Sequence, residues 1–218
     1  MSTDGRALRW EQHKAERRTA ILDAAVTVIE REPVGTVLHV QQIAEEAGLS
    51  RPVVYRHFAD RADLDDAIQR HVLGLVTSEV LPAVVLSGTI MGVIEGIVSS
   101  YVRWAHAHPK LHRIAEERAS ALDSALTSVG IGISSLIATG ADLYGVTLTD
   151  EERAALPALT AGLIGWVLGS VHVWMLRPAR EPSAEAMSDL LSRSIWYLLQ
   201  GHARNHGLEL DPDAPLPL

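Results

Sequence analysis

A chain of 218 residues with 47% hydrophobic side chains and no cysteine has ample material for a packed core. It excludes disulfides and thiolate metal centres, and it fits a reducing compartment. The formal net charge of −8 is unevenly spread: residues 1–61 carry nine Lys/Arg and nine Asp/Glu, residues 62–218 carry ten and eighteen, so the acidity lies wholly in the second part.

The opening MSTDGRALRWEQHK has no apolar run, so a secretory leader is not expected and a cytoplasmic protein is. Residues 1–9 read as a mobile arm, with Arg6 and Arg9 as basic groups on it. Residues 10–31 read as a first helix, because Leu22, Ala25, Val26 and Ile29 recur on one face. Lys14, Arg17 and Arg18 lie at its start and read as a solvated face that can also meet phosphates. Glu32-Pro33-Val34-Gly35 ends it.

Residues 40–61 read VQQIAEEAGLSRPVVYRHFADR. Val40, Ile43, Ala44 and Ala47 make one helical face, and Gly48 stands where a left-handed residue would end that helix. Ser50 suits the N-cap of a second, two-turn helix, and Pro52 fits its first turn. Val54 and Phe58 share its inner side, which leaves Arg51, Pro52, Val53, Tyr55 and Arg56 outward. So short a helix is unstable alone. Two scaffold helices that present a short rod are the logic of a helix-turn-helix, whose second helix enters the DNA major groove.

The run Ile43-Ala44-x-x-Ala47-Gly48-Leu49-Ser50, then Val54-Tyr55-x-x-Phe58 and Arg61-x-x-Leu64, resembles the N-terminal domain of the TetR family of bacterial transcriptional regulators. The motifs cover about a quarter of the chain. The resemblance implies a DNA-binding head in which Gln41, Gln42, Ser50, Arg51, Pro52, Val53, Tyr55, His57 and Arg61 face the nucleic acid. Arg51 is expected to pair with guanine and Val53 to pack on a thymine methyl. Gln41 or Gln42 would reach a base or a phosphate, and Tyr55 and His57 match positions that contact the backbone. Two positions depart from the family: His39 stands where Thr or Ser is usual as an N-cap, and Arg61 where Lys is common.

Farther on, Asp60 and Asp63 open a helix with Leu64, Ala67, Ile68, His71, Val72, Leu75 and Val76 on one side, ended or kinked at Pro82. Residues 89–108 form another, stopped by Pro109; residues 110–115 are short; residues 116–144 are long and interrupted by Gly130, Gly132 and Gly140. Thr149-x-x-Glu152 is a capping box for a helix that runs to Met175 and is kinked at Pro157. Pro182-Ser183 opens the last helix, with Met187, Leu190, Leu191, Ser194, Ile195, Leu198 and Leu199 on one stripe. The expected fold class is all-α with about nine helices: an N-terminal helix-turn-helix domain over residues 1–60, a ligand-binding and dimerisation bundle over 61–210, and a flexible tail over 211–218.

Residues 154–176 carry no charge, which by length also suits a membrane span. Pro157, Thr160, Ser170 and His172 favour instead a soluble helix buried between its own core and a partner subunit. A homodimer through the last two long helices follows, and the resemblance implies that they pair as a four-helix bundle. No membrane contact is expected. Met91, Tyr101, Trp104, His108, Glu117, Tyr144, Trp166, His172 and Trp174 are the candidates for an effector pocket, since aromatic walls with a few polar groups suit a small lipophilic ligand. The histidine pairs His108/His112 and His202/His206 lack a third ligand, so no metal and no cofactor are expected. Without a G-x-S-x-G elbow, an H-E-x-x-H pair or a P-loop, an enzyme is disfavoured. The resulting expectation is a ligand-responsive repressor that binds a near-palindromic operator as a dimer and is released by a small effector. The alternative is a helical small-molecule-binding protein with a vestigial DNA-binding head.

Overall fold

The structure, a computed structural model, describes residues 4–33, 36–85, 87–116 and 119–216. Among the described residues there are nine α-helices: α1 Asp4–Arg31, α2 Val40–Glu46, α3 Arg51–Val54, α4 Arg61–Val80, α5 Ile90–Ala107, α6 Pro109–Glu116, α7 Ala119–Leu143, α8 Asp150–Met175 and α9 Ala184–Asn205. Extended pairing among the described residues is confined to an isolated bridge between Thr89 and Pro215. The all-α expectation is met.

The chain divides into two compact units, one of Met1–Gly74 with Lys110–Ala121 and one of Leu75–Pro109 with Leu122–Leu218. The first extends past residue 60 because the core of the head includes the start of α4. Leu64, Ala67, Ile68 and Val72 of α4 are buried, as are Ile21, Ala25 and Val28 of α1, Ile43 and Ala44 of α2, and Val54 and Phe58. Each of the Val, Leu, Ile and Phe side chains among them contributes roughly 1.5–3 kcal/mol by leaving water. Helix α6 belongs to this unit as well. Its Leu111 and Ala115 are buried, Gln69 Nε2 donates to the Ala115 carbonyl at 3.1 Å, and Lys110 Nζ donates to the carbonyls of Glu30, at 2.6 Å, and Glu32.

Residues 4–9, expected as part of a mobile arm, continue α1 instead. Nothing in their composition breaks a helix except Gly5, which stands one residue from the helix start and there costs little.

In the second unit, Thr149 Oγ1 accepts from Glu152 N at 3.2 Å while the Glu152 carboxylate accepts from Thr149 N at 2.8 Å, the expected capping box of α8. The Thr149 backbone bond, with His206 Nε2 at 2.8 Å, holds the Glu152 carboxyl below its ordinary value. Ser183 caps α9 by accepting from Ala186 N at 3.2 Å. Helix α9 packs on α5 through Ser188, Leu191, Ser192, Ile195 and Trp196. The stripe expected on α9 is therefore split. Leu191 and Ile195 face the unit's own core, whereas Leu190 and Leu198 join Tyr197 on the exposed side, Tyr197 at 65% exposure.

Helix α8 is long and apolar enough to cross a membrane, yet only 11% of its most apolar stretch is buried within this chain. Thr160, Val171 and Trp174 face inward; Leu159 (53% exposed), Trp166 (44%) and Val173 (55%) face outward at seven-residue spacing. Residues 211–216 do not hang free. Leu216 is buried, and its N–H donates to the Gly88 carbonyl at 2.8 Å.

Candidate nucleic-acid interface

The short helix α3 is built by what surrounds it. Helix α2 ends in a Schellman turn: Leu49 N donates to Ala44 O at 2.8 Å, Gly48 N to Glu45 O at 3.1 Å, and Gly48 has φ +64°. An L side chain at that φ is strained, so glycine is the residue the turn requires. Ser50 occupies the N-cap of α3 with extended backbone, though its hydroxyl makes no cap bond, and Pro52 lies in the first turn as expected. After one α-helical turn the chain continues with tighter bonds, Arg56 N to Val53 O at 3.1 Å and His57 N to Val54 O at 2.9 Å. The rod is thus about two turns long, as the sequence implies. It is anchored by Val54, fully buried, and Phe58.

Above that anchor Ser50, Arg51 and Pro52 are exposed and Val53 and Tyr55 half-buried. The Arg51 guanidinium lies 5.7 Å from the Tyr55 ring centroid, a cation–π geometry that holds its head near the rod while leaving its donors free to turn outward. Gln41 is exposed and donates to Glu45 at 2.7 Å.

Two side chains given to the nucleic acid by sequence, Gln42 and Arg61, are engaged within the head, as is Arg18, which the sequence reads as part of a solvated face. Gln42 Oε1 accepts from His39 N at 3.0 Å and its Nε2 donates to Glu32 at 3.2 Å. Gln42 therefore satisfies the backbone N–H of His39, the reciprocal bond of a capping box. Arg61 Nε donates to both carboxylate oxygens of Asp65, at 2.8 and 2.9 Å, and its Nη1 donates to Leu38 O at 2.7 Å, which clamps the segment before α2 to α4. Arg18 of α1 lies over the Phe58 ring at 4.2 Å, donates to His57 O at 2.5 Å and pairs with Asp63 at 3.6 Å. Its role was legible in principle. Arg18 stands three and four residues before Ile21 and Leu22, on the line of the apolar stripe, where a long cationic stem packs along the core.

His57 is half-buried; its Nδ1 is shielded from solvent and has no hydrogen-bond partner. Burial first, then Arg17, Lys14 and Arg18, push its imidazole below the usual value of 6.5. Its surroundings disfavour the charged form.

The effector candidates lie in the second unit, except Glu117, which falls outside the described residues. Tyr101, Trp104 and Trp174 are buried, while Met91, His108 and Tyr144 are half-buried. Trp104 and His108 rings stand 5.6 Å apart. Trp174 stacks on His106 at 5.8 Å and donates from Nε1 to Pro182 O at 2.8 Å. His106 escaped the sequence reading because a histidine on a helix carries no mark of its neighbour on another. Trp166 and His172 are on the exposed side of α8 rather than with these rings. A small cavity and an open groove lie in the first unit. No group of three metal-ligating side chains occurs among the described residues.

Residues 21–68 match the family described as bacterial regulatory proteins, tetR family. The whole chain is 28% identical to an HTH-type transcriptional regulator of Mycobacterium tuberculosis, over 92% of that protein. Over 83 residues, 38% of this chain and 42% of the relative, it is 35% identical to the HTH-type transcriptional repressor LfrR of Mycolicibacterium smegmatis. Among solved structures, FadR of Bacillus subtilis in complex with stearoyl-CoA has the same fold, with a TM-score of 0.60 at 16% identity over 80% of this chain and 95% of that one. A helix-turn-helix with an outward-facing rod, a family match across that motif and similarity along the whole chain to a transcriptional regulator converge: residues 21–68 are a DNA-binding helix-turn-helix domain of the TetR family, in a chain similar over its length to an HTH-type transcriptional regulator.

Proposed function

We propose that the chain is a dimeric, ligand-responsive repressor acting in the cytoplasm on a near-palindromic operator. The observation that carries the reading is the α3 rod: Arg51 and Pro52 exposed over the buried anchors Val54 and Phe58. Two such rods related by a twofold axis read two half-sites roughly 34–36 Å apart. Arg51 takes guanine O6 and N7, Val53 meets a thymine methyl, and Gln41, Ser50, Pro52, Tyr55 and His57 position the rod on the backbone. Gln42 and Arg61, held inside the head, serve by fixing the rod rather than by reaching bases.

The outward apolar faces of α8 and α9 support homodimerisation through these two helices. The repressor LfrR and the stearoyl-CoA complex of FadR support a repressor released by a lipophilic effector, held by Met91, Tyr101, Trp104, His108, Tyr144 and Trp174. The effector acts by favouring a head spacing that no longer spans one DNA turn.

Selection of bound duplexes from a random pool, at a stated salt concentration, tests the reading. The expected product is a near-palindromic motif with a guanine at a fixed place in each half-site. Failure to enrich any motif, both alone and with cell extract added to supply an effector, overturns it in favour of a ligand-binding protein whose head no longer reads DNA.

A further inference from the structure

The family match begins at residue 21, whereas α1 begins at Asp4, so its first four turns lie outside everything the helix-turn-helix accounts for. Those turns form one wall of an open groove of about 530 Å³. Trp10, His13, Lys14, Glu16, Arg17 and Ala20 line it from α1, and His57 lines it from the end of the recognition segment. The two walls are tied together, since Arg18 Nη1 donates to the His57 carbonyl at 2.5 Å.

The charges in the groove are unevenly matched. Glu16 accepts from Gln12 at 3.1 Å and meets His13 Nδ1 at 3.2 Å, so its carboxylate is already engaged. Lys14 and Arg17 have no carboxylate partner among the described residues; Lys14 Nζ instead stands 5.4 Å from the Trp10 ring centroid. Trp10 is 62% exposed, a large apolar plane left in water beside two unneutralised cations. Of the remaining charges near His57, Arg18 and Asp63 pair with each other across α1 and α4. The groove is open rather than enclosed, which suits a polymer backbone passing through better than a small ion surrounded by donors.

We propose that this groove seats a phosphodiester of the operator backbone outside the helix-turn-helix, with Lys14 and Arg17 as its cations and Trp10 packed on the adjoining deoxyribose. It rests on the operator-binding reading above and adds to it a contact made by the first turns of α1. Such a contact fixes position on the duplex and carries no base preference.

The test uses the full chain, the duplex recovered by selection and a scrambled duplex of equal length. Affinities of wild type and of K14Q/R17Q are measured across a salt series. Loss of two phosphate contacts makes the slope of log affinity against log salt shallower by about 1.8 and weakens binding roughly 10- to 100-fold near physiological salt. The loss is equal on both duplexes, and the half-site motif stays unchanged. Both side chains are exposed, so helicity and melting should match wild type. As a second measurement, wild type shows a fluorescence change on duplex binding that W10F lacks, because Trp10 is the one tryptophan of the first unit.

An unchanged slope and affinity overturns the proposal. So does a loss confined to the selected duplex, which would make these residues base readers. A wild-type chain that binds neither duplex overturns the operator reading itself, and the proposal with it.

Discussion

Arg51 and His57 sit on the same short segment and differ in what holds them. Arg51 is exposed with its guanidinium beside the Tyr55 ring, so Arg51→Ala removes donors without disturbing the core. The expected result is a loss of about 1–3 kcal/mol on the selected duplex, relaxed preference at one base pair, and an unchanged melting temperature. Affinities on a panel of single-base variants of the duplex would show it; an undiminished preference at every position removes Arg51 from base reading. His57 is a titration matter. Its folded-state pKa lies below the unfolded value, so the unfolded chain binds the extra proton in the window between the two. Stability conferred by a neutral His57 is therefore complete above about pH 6.5 and declines as pH falls from there toward the folded value. A wild-type chain should lose melting temperature on acidification through that window more than H57Q does. Parallel curves for the two proteins would assign the acid sensitivity to other groups. At this scale the sequence told residue type but not direction. Arg61 and Gln42 look as solvent-bound as Lys14 and Arg51, and only the approach of Asp65 and the His39 backbone engages them; Arg18 alone carries a sign of its packing, its place on the line of the apolar stripe.

Local periodicity made most helices legible, and local capping made some of their starts legible: Asp60 before α4 and Thr149 before α8 take the bonds expected of them, and Ser183, read only as the opening of the last helix, caps α9. What periodicity could not give was allegiance. Helix α6 reads as the next piece of the bundle, but it packs in the first unit because Lys110 donates to two carbonyls at the end of α1 and Gln69 reaches the Ala115 carbonyl. A cation at the last carbonyls of a helix also meets the negative end of its dipole. Lys110→Met keeps the stem and removes these bonds. It should cost about 1–2 kcal/mol, the range of hydrogen bonds from charged groups discounted for partial exposure. Amide exchange should rise in the last turn of α1 before it rises in α2. Exchange that rises uniformly, or not at all, would mean that α6 is held by its apolar face alone. Phe58 marks the other limit: it is 1% exposed beneath a rod too short to stand alone, so Phe58→Ala should cost about 3–5 kcal/mol and abolish duplex binding by loosening α3.

For the molecule as a whole, the decisive surface is the outward side of α8 and α9. A run of 23 uncharged residues predicts burial all round, and within one chain that burial is not found. Leu159, Trp166 and Val173 on α8 and Leu190, Tyr197 and Leu198 on α9 form two apolar faces that a water-soluble monomer would leave wet. A second copy would cover both, as proposed above, and a bilayer would cover α8 alone, and the two cases separate cleanly. A protein that stays in solution without detergent and sediments at twice 23.6 kDa is the dimer. Val173→Arg then places a charge on that face and should give a species of 23.6 kDa with its helices intact. Each head of that monomer still holds its own half-site, but the second contact is no longer intramolecular. Operator affinity should fall by roughly 10²–10⁴, while binding to a duplex carrying a single half-site changes little. A Val173→Arg chain that remains dimeric would move the interface off α8. One that becomes monomeric yet keeps full operator affinity would instead break the link between dimerisation and DNA recognition on which the twofold operator depends.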